Sequence, residues 1–156
     1  VYAATNLGVF AIILAVANKT RSGEISSYGG LFSYAPTLGV LMTLFLASLA
    51  GIPPLGGWIA KFVAFQSLIQ SQSTWGYALA FVGAVNSVVA FGYYGNVMRE
   101  IWMRPVPDSD TTLISVPGSL KLALVITAGA TLVFGILPGV GLQFADLAEI
   151  AGAIIR

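Results

Sequence analysis

Cysteine and histidine are both absent from the 156 residues, and charge is scarce, with 7 Lys plus Arg and 6 Asp plus Glu. Without thiolates or imidazoles the sequence excludes disulfides, thiol chemistry and the usual ligand sets for zinc, haem and iron–sulfur clusters. Any redox chemistry linked to this chain must occur in another one, so no cofactor is expected here. Charged residues make up 8%, against about 25% in an average soluble domain. That is too little to coat a globule with polar side chains. A hydrophobic share of 57% and a mean hydropathy of +0.89 instead make the lipid bilayer the expected solvent. Soluble enzyme, nucleic-acid binder and disordered segment are excluded together.

What is present is a set of apolar runs bounded by charge. The sequence opens inside one of them, without a starting Met or the basic region of a signal peptide, and is expected to be a C-terminal fragment of a longer membrane protein. Residues 1–18 are uncharged and form a first expected span. That first stretch is marginal in length, whereas residues 77–98 give one comfortable span and 119–137 another. Between them, 36–71 is too long for one straight span and too short for two, at about 1.5 Å per helical residue.

The interior of that segment reads Gly51-Ile52-Pro53-Pro54-Leu55-Gly56-Gly57. Two prolines remove two backbone donors and clash with the preceding turn, and three glycines loosen the rest. The expectation is a discontinuous helix, broken near 51–55, with halves near 36–50 and 55–71. Non-helical backbone at membrane depth must be buried in protein or face water, and such breaks mark ion pathways in transporters. An extramembrane turn between two short buried helices is the other reading. The expected fold is therefore an all-α integral membrane unit over 1–156, with four transmembrane segments.

The C-terminal stretch 139–156 places Gln143, Asp146 and Glu149 at spacing three, with Leu142, Leu147, Ile150 and Ile154 around the turn. That pattern predicts an amphipathic helix at the interface. Alternating spans put Lys19, Arg21, Arg99, Arg104 and Lys121 on one face and Arg156 on the other. Loops 19–35 and 99–118 are thereby predicted to be cytoplasmic.

Lys61 stands alone, with no other charge between residues 25 and 98. A lysine at the centre of a membrane helix costs roughly 2.5–3.5 kcal/mol on insertion scales, so it should face a partner or water. Burial disfavours the ammonium form of a lysine, which suits such a group to loading and releasing a proton. Snorkelling to the interface is the bland alternative. It requires a stem reaching about ten residues of helix, some 15 Å, which four methylenes cannot span. Carbonyls freed near Leu49 and Ala50 by the two prolines are expected to take water. Trp58, three residues before Lys61, could stack on the ammonium or simply pack. Asn86 and Ser87 lie inside a span with Tyr93 and Tyr94 one to two turns on, and Asn6 sits in the first helix. These read as interhelical glue or as the lining of a hydrated path. No nucleotide loop, catalytic triad or metal constellation occurs, and Gly56-Gly57 lacks the motif of a phosphate cradle.

Three blocks carry a resemblance: Tyr2-Ala-Ala-Thr-Asn6-Leu-Gly-Val-Phe10, Ser48-Leu-Ala-Gly-Ile-Pro-Pro-Leu-Gly-Gly-Trp-Ile-Ala-Lys61-Phe62, and Asn86-Ser-Val-Val-Ala-Phe-Gly-Tyr-Tyr94. Together they resemble the antiporter-like subunits of respiratory complex I, above all the subunit N branch of the bacterial NADH:quinone oxidoreductases, across Tyr2–Arg104. The resemblance implies that the break lies in the twelfth of fourteen helices and that Lys61 belongs to a central proton-relaying axis. Where the family usually has Gly-Phe-Ile-Gly-Lys, this sequence has Gly-Trp-Ile-Ala-Lys, with the lysine in register. Subunit M-like relatives carry a glutamate at that site. The resemblance further implies a proton-translocating subunit in the bacterial cytoplasmic membrane, driven by redox chemistry in partner subunits that hold flavin, iron–sulfur clusters and quinone. Its partners would be other membrane subunits, including antiporter-like paralogues, and the lipid bilayer, with no nucleic acid. The Lys61 block is shared with multisubunit Na⁺/H⁺ antiporters and membrane-bound hydrogenases, which stay open as alternatives, as does a scaffold without transport.

Overall fold

In the computed structural model, residues 1–137 and 139 are described, and every regular element among them is helical. Helix α1 (Tyr2–Thr20) is uncharged until Lys19, whose ammonium suits the negative end of the helix. It stops at Arg21, left-handed at φ 54°, whose N–H closes on the Ala17 carbonyl at 2.9 Å. The following segment is not a bare loop. A 3₁₀ turn (Ile25–Tyr28) and a single helical turn, α2 (Leu31–Tyr34), bury Tyr28, Leu31 and Tyr34 at spacing three. Ala35 precedes a proline and leaves the helical region, and Pro36 then opens α3 (Pro36–Ala50) at the position that suits its fixed φ.

Helix α4 (Gly56–Gln70) follows after five residues, and α5 (Thr74–Met103) is capped by Ser73, whose Oγ accepts the Gly76 N–H at 2.9 Å. At 30 residues α5 is about 45 Å long, longer at both ends than the 77–98 expected from the charges. Charged residues end a membrane crossing, not a helix. Arg99 and Glu100 are good helix formers, and Glu100 meets Arg104 at 3.4 Å. The helix stops where Pro105 forces Arg104 into an extended conformation, so the polar loop begins there rather than at residue 99. A short 3₁₀ turn (Pro107–Ser109) and extended chain lead to α6 (Gly118–Ile136). The amphipathic end expected over 139–156 lies outside the described residues, apart from Gly139.

Helix α1 packs between α3 and α6, α3 also against α5, and α4 against α5 and α6. The core gathers Ile12 and Val16 of α1, Phe45 of α3, Leu31 of α2 and Ile101 of α5, all fully buried. Gly8 lets the Phe45 ring lie on α1, since a Cβ there would overlap it. Helices α1, α5 and α6 are each long and apolar enough to cross a membrane. Helices α4 and α5 bury few side chains within the chain.

Candidate functional site

The chain between α3 and α4 is shaped by two glycines and a lysine. Gly51 ends α3 at φ +91°, a conformation that side-chain-bearing residues rarely adopt. Its N–H reaches the Ser48 carbonyl at 3.0 Å, and the Ile52 N–H reaches Ala47 at 3.0 Å. This crossed pair is a Schellman ending, and it occupies the carbonyls of Ala47 and Ser48. The Ala50 carbonyl is taken by Lys61, whose Nζ donates to it at 3.0 Å. A cation at a helix C terminus is favourably placed against the macrodipole. Lys61 thus occupies one of the two carbonyls that sequence reasoning assigned to water, that of Ala50, because it lies one turn and a half into α4 and its stem folds back along Gly51. A Cβ on Gly51 would stand 3.0 Å from the Lys61 Cδ.

Gly57 sets how closely α4 starts beside the end of α3. Its N–H donates to Ser48 Oγ at 3.0 Å, and a Cβ at this position would overlap the Ser48 carbonyl. Pro53 and Pro54 lie in the non-helical link, and the Pro54 carbonyl and Gly56 crowd Gly135 of α6 so closely that a Cβ there would clash. The break is therefore wedged between α3 and α6.

Lys61 is partly buried and lines a cleft of about 580 Å³ between α4 and α5. Asn86, Ser87, Tyr93 and Tyr94 line the same cleft, with Tyr2 at the start of α1. Four of the five polar positions singled out in the sequence thus share one space with the lysine. Asn86 is exposed on the cleft wall, Ser87 Oγ donates back to the Gly83 carbonyl at 2.9 Å, and the Tyr93 and Tyr94 rings meet edge to face at 4.5 Å. Asn6 is the exception, since its Nδ2 donates to the Tyr2 carbonyl of its own helix at 2.9 Å and it does not line the cleft. Trp58 stacks on Phe62 at 5.4 Å, a packing role. Tyr2 is a cleft residue that sequence reasoning misses, because nothing in the sequence signals that the start of α1 shares a space with Tyr93 and Tyr94 of α5. No group of His, Cys, Asp or Glu that could hold a metal exists among the described residues.

The family model described as NADH:quinone oxidoreductase/Mrp antiporter, TM, matches residues 1–87. The chain belongs to this family. The match includes the whole of the α3–α4 break, Lys61, Asn86 and Ser87. Among curated relatives, the NADH-quinone oxidoreductase subunit N of Dehalococcoides mccartyi is 41% identical over 137 residues, covering 88% of this chain and 27% of that protein. The subunit N of Heliobacterium modesticaldum is 39% identical over 150 residues, covering 96% and 29%. Among solved structures, respiratory complex I from Thermus thermophilus with bound aureothin contains a chain similar at a TM-score of 0.62 and 28% identity, covering 76% of this chain and 26% of that one. The chain therefore spans less than a third of the length of these relatives, and it is a multi-pass membrane segment of the subunit N type.

Proposed function

We propose that this chain is the part of an antiporter-like subunit N in which Lys61 passes protons across the membrane region of an NADH:quinone oxidoreductase. The observation that carries the reading is the lysine at a helix break, lining one cleft with Asn86, Ser87, Tyr93 and Tyr94. On this reading α3 and α4 are the halves of one discontinuous span, and α1, α5 and α6 are the other three. The segments around Lys19 and Arg104 face the cytoplasm, following the basic residues. The ammonium holds the Ala50 carbonyl in the loaded state. When the proton leaves, the attraction between a full charge and the end of α3 falls to that of a neutral amine, and the side chain is free to turn into the cleft. Hydroxyl and amide groups there are donors and acceptors for the water that would carry the proton on. Redox chemistry, with its flavin, iron–sulfur clusters and quinone, belongs to partner subunits, and this chain's immediate partners are other membrane subunits and their antiporter-like paralogues.

The test is Lys61→Met in the full subunit within its assembled complex, measuring NADH-driven proton uptake into vesicles beside subunit stoichiometry. Assembly is expected to persist while uptake per NADH oxidised falls. Normal uptake by an assembled Lys61→Met complex would overturn the relay. The family description also names the Mrp antiporter, so Na⁺/H⁺ exchange without NADH is the second reading. Purification with small hydrophobic subunits alone would favour it.

A further inference from the structure

We propose that the groove where α3 and α6 begin is a binding site for one anionic phospholipid, its acyl chain between the helices and its phosphate at Lys121. The groove holds about 410 Å³ and is walled by Leu38 and Leu41 of α3, Leu113 of the extended segment, and Leu124 and Val125 of α6. Leu113 is 81% exposed and Val125 68%, so the groove opens outward on the side where α6 presents its apolar face. Its depth in the bilayer follows from the chain: α3 and α6 both start here, at Pro36 and Gly118, where the polar segments rejoin the membrane. The apolar walls therefore run inward from the level of the headgroups.

Lys121 is the charged residue of this lining, exposed in the first turn of α6 and without an ion pair among the described residues. No described carboxylate opposes it there. Asp110, on the far side of Tyr34, is engaged by Lys19 at 3.7 Å. A cation over an apolar groove between membrane helices matches an anionic headgroup and its chain, as basic pockets between helices do for acidic lipids. A free phosphate would satisfy Lys121 and leave the walls bare, and a neutral lipid would do the reverse. The inference rests on the membrane placement of the chain and not on Lys61, so either reading survives the failure of the other.

The test uses the full subunit in its assembled complex, reconstituted with phosphatidylglycerol bearing a photoactivatable diazirine on one acyl chain. Labelling of the peptides covering 34–41 and 113–125 is expected. It should fall about fivefold in Lys121→Gln, in proportion to the attraction of one lysine for an acidic lipid, and persist in Lys121→Arg. Val125→Trp, which fills the groove, should remove it. Photoactivatable phosphatidylcholine should label the site weakly and equally in the parent and Lys121→Gln. Unlabelled peptides in the parent would mean that protein covers the groove, and labelling indifferent to Lys121 would mean that the bilayer merely wets it. Either result overturns the site.

Discussion

Adding one methyl group at Gly57 tests the geometry of the break directly. In Gly57→Ala the new Cβ falls on the Ser48 carbonyl, which is backbone and cannot swing away, so the start of α4 must move off the end of α3. Overpacking of this kind costs about 1–3 kcal/mol. The Gly57 N–H also withdraws from Ser48 Oγ, a loss of about 0.5–1.5 kcal/mol. Alanine returns about 0.5–1 kcal/mol through its helix preference. The balance is a destabilisation of about 2 kcal/mol, which, at about 2.1 cal/mol/K of unfolding entropy per residue in a subunit more than three times the length of this chain, lowers the melting temperature by about 2 °C. Thermal loss of helical circular dichroism from the full-length subunit in detergent is the assay. Gly92→Ala in α5 and Gly129→Ala in α6 are the controls, since a Cβ at either meets no described atom within 4 Å, and both should melt at or slightly above the parent. If Gly57→Ala melts together with these controls, α3 and α4 do not touch as described. The support for Lys61 at Ala50 then falls as well, because the same approach brings them together.

Two further outcomes follow from the polar end of the bundle. Burial pushes the Tyr28 and Tyr34 hydroxyls above their ordinary value of 10, with the Asp110 charge adding to the effect at Tyr34. Their neutral forms therefore stabilise the fold fully below pH 10, and that contribution is lost as pH rises through the folded values. Denaturation of the full-length subunit should begin to steepen above about pH 10, and Tyr34→Phe should flatten it; a Tyr34→Phe profile identical to the parent would refute this. Lys19 donates to the carbonyls of Asp110 at 3.0 Å and Thr112 at 2.6 Å and stands 3.9 Å over the Tyr34 ring, joining α1, α2 and the extended segment. Lys19→Met should cost about 1.5–3 kcal/mol, as for charged hydrogen bonds, and should speed amide exchange at 110–116. Unchanged exchange there would show the segment to be held by other contacts.

The positions of helices were legible in the sequence wherever backbone chemistry decides them. Pro53 and Pro54 with Gly51 interrupt helix for local reasons, and the structure has helix ending at Ala50 and resuming at Gly56. The far end of α5 was not legible from charge, since Arg99 and Glu100 tell where lipid ends and Pro105 tells where helix ends. The order in the 25–34 segment carried a signal in Tyr28, Leu31 and Tyr34 at spacing three, too short a run to count as a periodic element but enough to bury three large side chains. Site residues divide in the same way. Their helix and approximate depth follow from position along the chain, whereas the cleft depends on which faces of α4 and α5 turn toward each other.

Lys61 is where these two kinds of information meet. The sequence isolates the charge and places it beside a break, and from that alone the freed carbonyls were assigned to water. The fold uses the lysine as a donor to the Ala50 carbonyl in the terminal turn of α3, so the lone charge and the helix ending are one structure. A lysine that only needed shelter could take any carbonyl. One bound to the end of α3 would couple a change in its charge to the strength with which α3 and α4 hold together, because the contact is strongest when the full charge faces the negative end of the helix. Gly51 is what permits this: its left-handed backbone ends α3, and its missing side chain leaves the path along which the lysine stem returns. On the proposed relay, a proton step at Lys61 would have a mechanical consequence where α3 meets α4. The proposal carries its converse by reciprocity: a shift of α4 relative to α3 would act back on the proton step.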